Sequence, residues 1–515
     1  MMIENGSLNT VTTTLTRAGT ASLDFTKLLL FIEVLVLFLM FAVHIFMPDD
    51  VFLWNVFLVA VFVFAVLISF TDYPFNHFQV YLFFLFAFNV SLPFLVLFGL
   101  YVYPDGNNIM ASDGIEYVVQ ESMLARTYAA LSFSVIGSLL GWTYLKKRSN
   151  SAALHTQNIN ALIYIERYFY LVWLLYTIYS FRIFQISLDV GYVGAIHLAE
   201  GRQVLDSFLG FVSILYVFFL VTYVGGSRTS RGFIFRALLA LVPFVFISLA
   251  GSRGHFLLWF FVFMLFFQYR FRSIKIIHFL IALIPIFAFV SYVGLTRFDN
   301  IILDNISLFD IVLYSIINTG SSIGVIAYTF SLLDHFKNSV PFLFGYIDGV
   351  FSLAQNYTYA GIEEKSYLAQ HLIFELNENK FYSGSTIGTA MVAEMVELLG
   401  LYFYPFISLF YFVIFATAGY LIRNMYRNIY FLYLTFNFYA YLIMSPRDSL
   451  FRIFNKEFVA TSLVIGGVYL FNKFRNQRKR AKGPVLGGTK QRLGIGVVVA
   501  DARPWNCQGV VTEIL

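Results

Sequence analysis

Apolar residues in this chain come in long unbroken runs, not in the one-sided or alternating patterns of a soluble fold. The runs cover about 28 to 47, 51 to 70, 77 to 102, 124 to 145, 160 to 184, 204 to 224, 233 to 250, 255 to 269, 276 to 295, 401 to 421, 429 to 444 and 454 to 472. Most are near the length a helix needs to cross the hydrocarbon core of a bilayer. A membrane barrel would show shorter strands of alternating polarity. The pattern therefore predicts an all-α polytopic membrane protein with about twelve transmembrane helices.

The polar gaps between the runs alternate in charge. Lys146-Lys-Arg148, Arg228 with Arg231, Arg270 with Arg272 and Lys275, Arg423 with Arg427, and the tail from Lys473 to Lys482 fall on one side by parity. Basic loops stay in the cytoplasm, so both termini are expected inside. The outward gaps are then the Pro48-Asp-Asp50 turn, an acidic 104 to 123 loop, a 189 to 202 loop, the 251 to 254 turn and Ser445-Pro-Arg447-Asp448. From 297 to 400 charges become frequent and apolar stretches short, which predicts one large extracytoplasmic segment between helices nine and ten. Short helices along the outer surface are expected there, with a re-entrant pair at 308 to 330 as the alternative. The expected organisation is a cytoplasmic leader at 1–26, membrane helices at 27–296, the outer segment at 297–400, the last helices at 401–473, and a basic, then atypical, cytoplasmic tail at 474–515. No internal repeat is visible, which counts against the two-halved design of many transporters.

Composition sharpens the class. Of 515 residues 59% are hydrophobic, 20% aromatic and 12% charged, with a mean hydropathy of +0.75, outside the range of soluble domains. The net charge of +5 is accounted for by cytoplasmic loops and implies no nucleic-acid partner. A single cysteine, Cys507, excludes an intrachain disulfide framework and any cysteine-based metal cluster. Walker, zinc-spacing and Asp-x-Asp metal motifs are absent, so no metal and no cofactor is expected.

The candidate chemistry centres on Ala250-Gly-Ser-Arg-Gly-His255, an arginine flanked by glycines in a short gap between two apolar runs. A guanidinium at a membrane surface suits phosphate, and the glycines permit close backbone approach. A contact to lipid headgroups is the other reading. Arg182, Arg202, Arg253, Arg297, Arg447 and Arg452 all fall on or just beneath the outer side, against the positive-inside bias. Converging on one cavity, they would hold a pyrophosphate and stabilise its charge as it leaves. Glu394 and Glu397, three apart before the tenth run, share a face if 385 to 399 is helical, and a carboxylate there offers a base to an attacking hydroxyl. His255 offers a base or a sugar hydrogen bond. Glu33, His44 and Glu166-Arg167 are further polar groups inside apolar runs.

Two stretches carry a resemblance. Leu249-Ala-Gly-Ser-Arg-Gly-His-Phe-Leu257, and Ser383-Gly-Ser-Thr-Ile-Gly388 through Ala393-Glu394 and Leu399-Gly400 to Gly419, resemble the O-antigen polymerases, the Wzy family of oligosaccharide repeat-unit polymerases. Met395-Val-Glu397 stands where an aromatic and an asparagine are common in that family. The resemblance extends over about 25 to 475 and implies a GT-C-like glycosyltransferase architecture in the bacterial inner membrane. It implies metal-independent transfer of a growing glycan from undecaprenyl pyrophosphate onto the next lipid-linked unit at the periplasmic face. Arg253 and Arg297 would bind the departing pyrophosphate, Glu394 or His255 would assist the acceptor hydroxyl, and Arg182, Arg202, Arg447, Arg452 and Glu397 would contact substrate. Membrane lipids and a chain-length regulator are the implied partners. An O-antigen ligase, or a flippase or transporter of the same lipid-linked sugar, remains the alternative.

Overall fold

The computed structural model describes residues 8–71, 76–103, 117–146, 162–200, 203–250, 253–275, 316–336, 368–382, 387–425 and 429–450, with isolated positions between them. Every regular element among the described residues is helical. Seven helical stretches are long and apolar enough to cross a membrane, and shorter apolar helices lie at Leu215–Gly225, Phe256–Arg270 and Phe431–Met444.

Helix α1 (Leu8–Phe46) turns at Pro48 into α2 (Val51–Phe70), which Asp50 caps by accepting the Leu53 N–H at 2.9 Å. Helix α3 (His77–Leu85) opens on a capping box in which the Asn76 and Gln79 side chains each accept the other residue's backbone N–H. It passes through a π-helical turn, Phe86–Val90, into α4 (Ser91–Leu97). Pro93 has no N–H for the preceding turn, and the ladder there widens, with the Ser91 N–H donating to the Phe86 carbonyl five residues back. Gly99, at φ 67°, ends the run.

Helix α5 (Glu121–Lys146) is the most deeply buried of the membrane-length helices. Its sequence explains why: Ala129, Ala130, Ser132, Ser134, Gly137, Ser138 and Gly141 keep it thin. The hydroxyls of Ser132, Ser134 and Ser138 donate to carbonyls of their own helix, so burying them leaves no donor unsatisfied. Gly137 and Gly141 lie four apart on one face and admit the backbone of the helical segment that carries Ser408 and Phe412. A Cβ at Gly137 would stand 2.1 Å from the Ser408 carbonyl oxygen, and one at Gly141 2.5 Å from that of Phe412. Close approach of backbones through paired small residues is how membrane helices associate when lipid is as apolar as leucine.

Four helices follow: α6 (Leu162–Glu200), α7 (Gln203–Gly225), α8 (Ser230–Leu249) and α9 (Arg253–Arg270). Stacked rings join α6 to α7, with Phe169 and Tyr223 at 3.8 Å between centroids. The opposite side of α6 exposes Leu171, Leu174, Ile178 and Phe181, an apolar face suited to lipid. Helix α10 (Ile323–Ser331) follows a turn at 321–322, and α11 (Leu368–Leu376) and α12 (Glu378–Tyr382) are short. Then come α13 (Met391–Phe403), a 3-10 turn at Tyr404–Phe406, α14 (Ile407–Asn424) and α15 (Ile429–Met444). A kink within α13 falls at Gly400, whose φ of 71° and ψ of −172° only glycine adopts readily.

Except for the ninth and twelfth, each expected run is helical; those two fall almost wholly outside the described residues. Two expectations change. The 189 to 202 stretch begins as a continuation of α6 to Glu200 and not as a loop, since no proline interrupts 185 to 200 and apolar residues recur through it. Residues 323–330 do not lie along an outer surface: each of them is buried, and Gly320 just before them sits against Ser91 and Leu92. An Ile-Gly-Val-Ile-Ala-Tyr-Thr-Phe helix has no strongly polar side to show to water, so it packs within the body. The chain divides into Met1–Leu463, which holds all the helices named here, and Val464–Leu515, almost wholly outside the described residues.

Candidate functional site

Helix α13 begins without a side-chain cap. Its first N–H, that of Met391, instead donates to the Ser445 carbonyl at 3.0 Å, docking the helix start on the turn that closes α15. That turn is tight, with the N–H groups of Arg447 and Asp448 both donating to the Met444 carbonyl at 2.8 Å. Glu394, in the first turn of α13, is 1% exposed. Ser449 Oγ donates to Glu394 Oε2, and Thr389 Oγ1 donates to Oε1 at 3.5 Å. A carboxylate in the first turn also faces the positive end of the helix dipole. One buried acid is thus held from both sides, by the segment leading into its own helix and by the end of the 445–449 turn.

The turn is fixed from a third direction by the π-helical segment. Asn89 Nδ2 donates to the Pro446 carbonyl at 2.7 Å, and the Arg447 guanidinium stands 5.3 Å from the centre of the Phe88 ring. Gly388, at φ 79°, passes the Arg447 carbonyl where a Cβ would lie 3.7 Å away. The start of α9 joins the same place, since a Cβ on Gly254 would lie 3.4 Å from Met444 Cε. Tyr411 on α14 is buried within electrostatic reach of Glu394 and beside Tyr81 of α3.

The residues singled out from sequence separate into three groups. Glu394 and Arg447 are brought to one turn, Glu394 buried and Arg447 exposed, and half-buried Glu397 lies one helical turn beyond Glu394. Arg253 and His255 open α9 on either side of Gly254, which places their backbone at Met444, while their side chains lie outside the described residues. Exposed Arg182 stands on α6 next to Ile183, which packs with Ala250 at the end of α8. Arg202, Arg297 and Arg452 lie outside the described residues, as do the side chains of Glu166 and Arg167.

Three participants were not singled out. Asn89 and Ser449 carry no motif, and only the fold shows what they touch. Arg126 was legible in principle, because it stands at the start of the fourth apolar run, just after the acidic 104 to 123 stretch. It pairs with Asp49 at 2.9 Å, near His44, whose Nδ1 is 3.0 Å from the Tyr404 hydroxyl. Close by, Tyr103 and Tyr128 share a hydrogen bond at 2.9 Å, and burial pushes the Tyr103 phenol well above its usual range, so this pair stays neutral. Glu33 is fully buried between α1 and α5, where Thr143 Oγ1 donates to it at 2.8 Å.

This multi-pass helical membrane protein thus brings a buried carboxylate, an arginine and the start of α9 together around the 445–449 turn. The comparison with known families gives the class a name. The O-antigen polysaccharide polymerase Wzy family matches residues 28–479, most of the chain, and the protein belongs to that family. It is thereby a membrane protein of polysaccharide biosynthesis. No curated relative and no solved structure matches the chain.

Proposed function

We propose that this protein joins polyprenyl-pyrophosphate-linked oligosaccharide repeat units at the periplasmic face of the inner membrane, with Glu394 as the base and arginines in place of a metal. The observation that carries this reading is the buried Glu394 carboxylate, held by Ser449 and Thr389 on the turn that presents Arg447. In the step proposed, the acceptor hydroxyl oxygen forms a bond to the anomeric carbon of the donor glycan. The bond from that carbon to the pyrophosphate oxygen breaks, and its electron pair leaves with undecaprenyl pyrophosphate. The hydroxyl proton passes to Glu394. A positioned carboxylate speeds such a proton transfer by about 10²–10⁴-fold, and fixed guanidinium groups stabilise the charge that develops on the leaving group.

Arg447 and Arg253 are the two arginines proposed to hold the pyrophosphate, because both belong to segments that meet at Met444. Arg297, Arg182, Arg202 and Arg452 would extend the same positive field, His255 and Glu397 would contact the sugars, and the apolar face of α6 would border the lipid tails. Twelve helices with cytoplasmic termini would place this end outside. The test is to express Arg447→Ala and Arg253→Ala at equal levels in a strain lacking the native protein and to resolve surface glycan on a gel. Loss of long chains, with single repeat units still capping the lipid core, is the expected result. A ladder unchanged in both variants overturns the pyrophosphate assignment, and a core with no units at all favours ligation or flipping.

A further inference from the structure

Asn89 is completely buried, yet only half of its amide is used: Nδ2 donates to the Pro446 carbonyl, while Oδ1 has no hydrogen-bond partner among the described residues. A buried amide with one unpaired end carries a stability cost that offsets what its other end gains. The widened helical turn at Phe86–Val90 carries both Asn89 and Phe88 to the 445–449 turn, one against its backbone and the other beneath Arg447. The same turn receives the first N–H of α13 at Ser445 and, at Ser449, donates to Glu394. Widened turns of this kind are commonly kept where they serve a site.

We infer that Asn89 is a positioning residue for the transfer reaction, fixing the Pro446 carbonyl so that Arg447 faces the leaving group while Ser449 holds Glu394. This rests on the reading of Glu394 and Arg447 given above. Asn89 touches no substrate; it acts through the turn. The signature is a loss of turnover with little change in stability. Asn89→Leu keeps the packing and removes one unpaired acceptor but leaves the Pro446 carbonyl without its donor, so the two effects offset and the folded yield and melting temperature stay close to those of the native protein. The Pro446 carbonyl loses its donor and the turn its register, so kcat falls by about 10–100-fold while KM for the lipid-linked repeat unit changes by less than about threefold.

The experiment uses the full chain in lipid vesicles supplied with purified lipid-linked repeat units. Asn89→Ser, whose hydroxyl is too short to reach Pro446 directly, is measured alongside in case leucine does not fit, with the same fall in kcat expected. The double variant Asn89→Leu with Arg447→Ala should be about as slow as Arg447→Ala alone, because both act on one turn. Native turnover by a folded Asn89→Leu or Asn89→Ser, or multiplied losses in the double variant, overturns the inference. Native turnover by Arg447→Ala overturns instead the functional reading on which it rests.

Discussion

Replacing Gly137 with alanine tests the packing that places α13 and α14 against α5. The added methyl would lie 2.1 Å from the Ser408 carbonyl oxygen, 2.7 Å from its carbonyl carbon and 2.7 Å from its Cα, all main-chain atoms that no rotamer change can move. Relief requires the two helices to part by about 1 Å locally, which forfeits much of the dispersion energy along the contact. Overpacking of this kind costs about 1–3 kcal/mol, and loss of the close Cα–H···O approach adds about 0.5–1 kcal/mol. Against this stands the better helix propensity of alanine, about 1 kcal/mol. The net expectation is a destabilisation of about 0.5–3 kcal/mol, seen as a lower melting temperature of the purified protein in detergent. Gly225→Ala is the control, since its methyl would meet only the far end of the Leu432 side chain at 2.8 Å. If Gly137→Ala is as stable as the native protein while Gly225→Ala is not, the account of helix packing is wrong.

Two further predictions concern buried groups and backbone strain. Thr143→Val should cost about 1–3 kcal/mol, because Glu33 Oε2 already has no partner among the described residues and Oε1 would lose its donor; Glu33→Met in that background should restore the melting temperature. Gly400→Ala should cost about 1–3 kcal/mol from backbone strain alone, as its Cβ would meet nothing within 4 Å, and a full-length protein with unchanged melting temperature would refute this.

The helical body was legible because apolar run length is a strong local signal, and basic residues between runs divide them cleanly. Glu394 stood out in the sequence as a carboxylate at the edge of an apolar run, and the fold buries it against the 445–449 turn. Its partners did not stand out: Ser449 is 55 residues further on and Asn89 is 357 residues from Pro446, so their meeting is a property of packing alone. The Gly137-Ser-Leu-Leu-Gly141 spacing was readable as a close-packing motif but stood inside an ordinary apolar run. Residues 185 to 200 misled because Asp189, His197 and Glu200 look like a loop, whereas α6 needs only the absence of a breaker to continue. The largely apolar 323–331 segment is only nine residues long, too short for its pattern to choose between a surface and the interior.

The most direct test of the central claim is turnover by Glu394→Gln in vesicles with purified lipid-linked repeat units. Glutamine keeps the shape and can still accept from Ser449 or Thr389, but it cannot take a proton. The account predicts a folded protein that binds substrate and polymerises at least about 100-fold more slowly, leaving lipid-linked single units unextended. Chains of native length made at the native rate would contradict it.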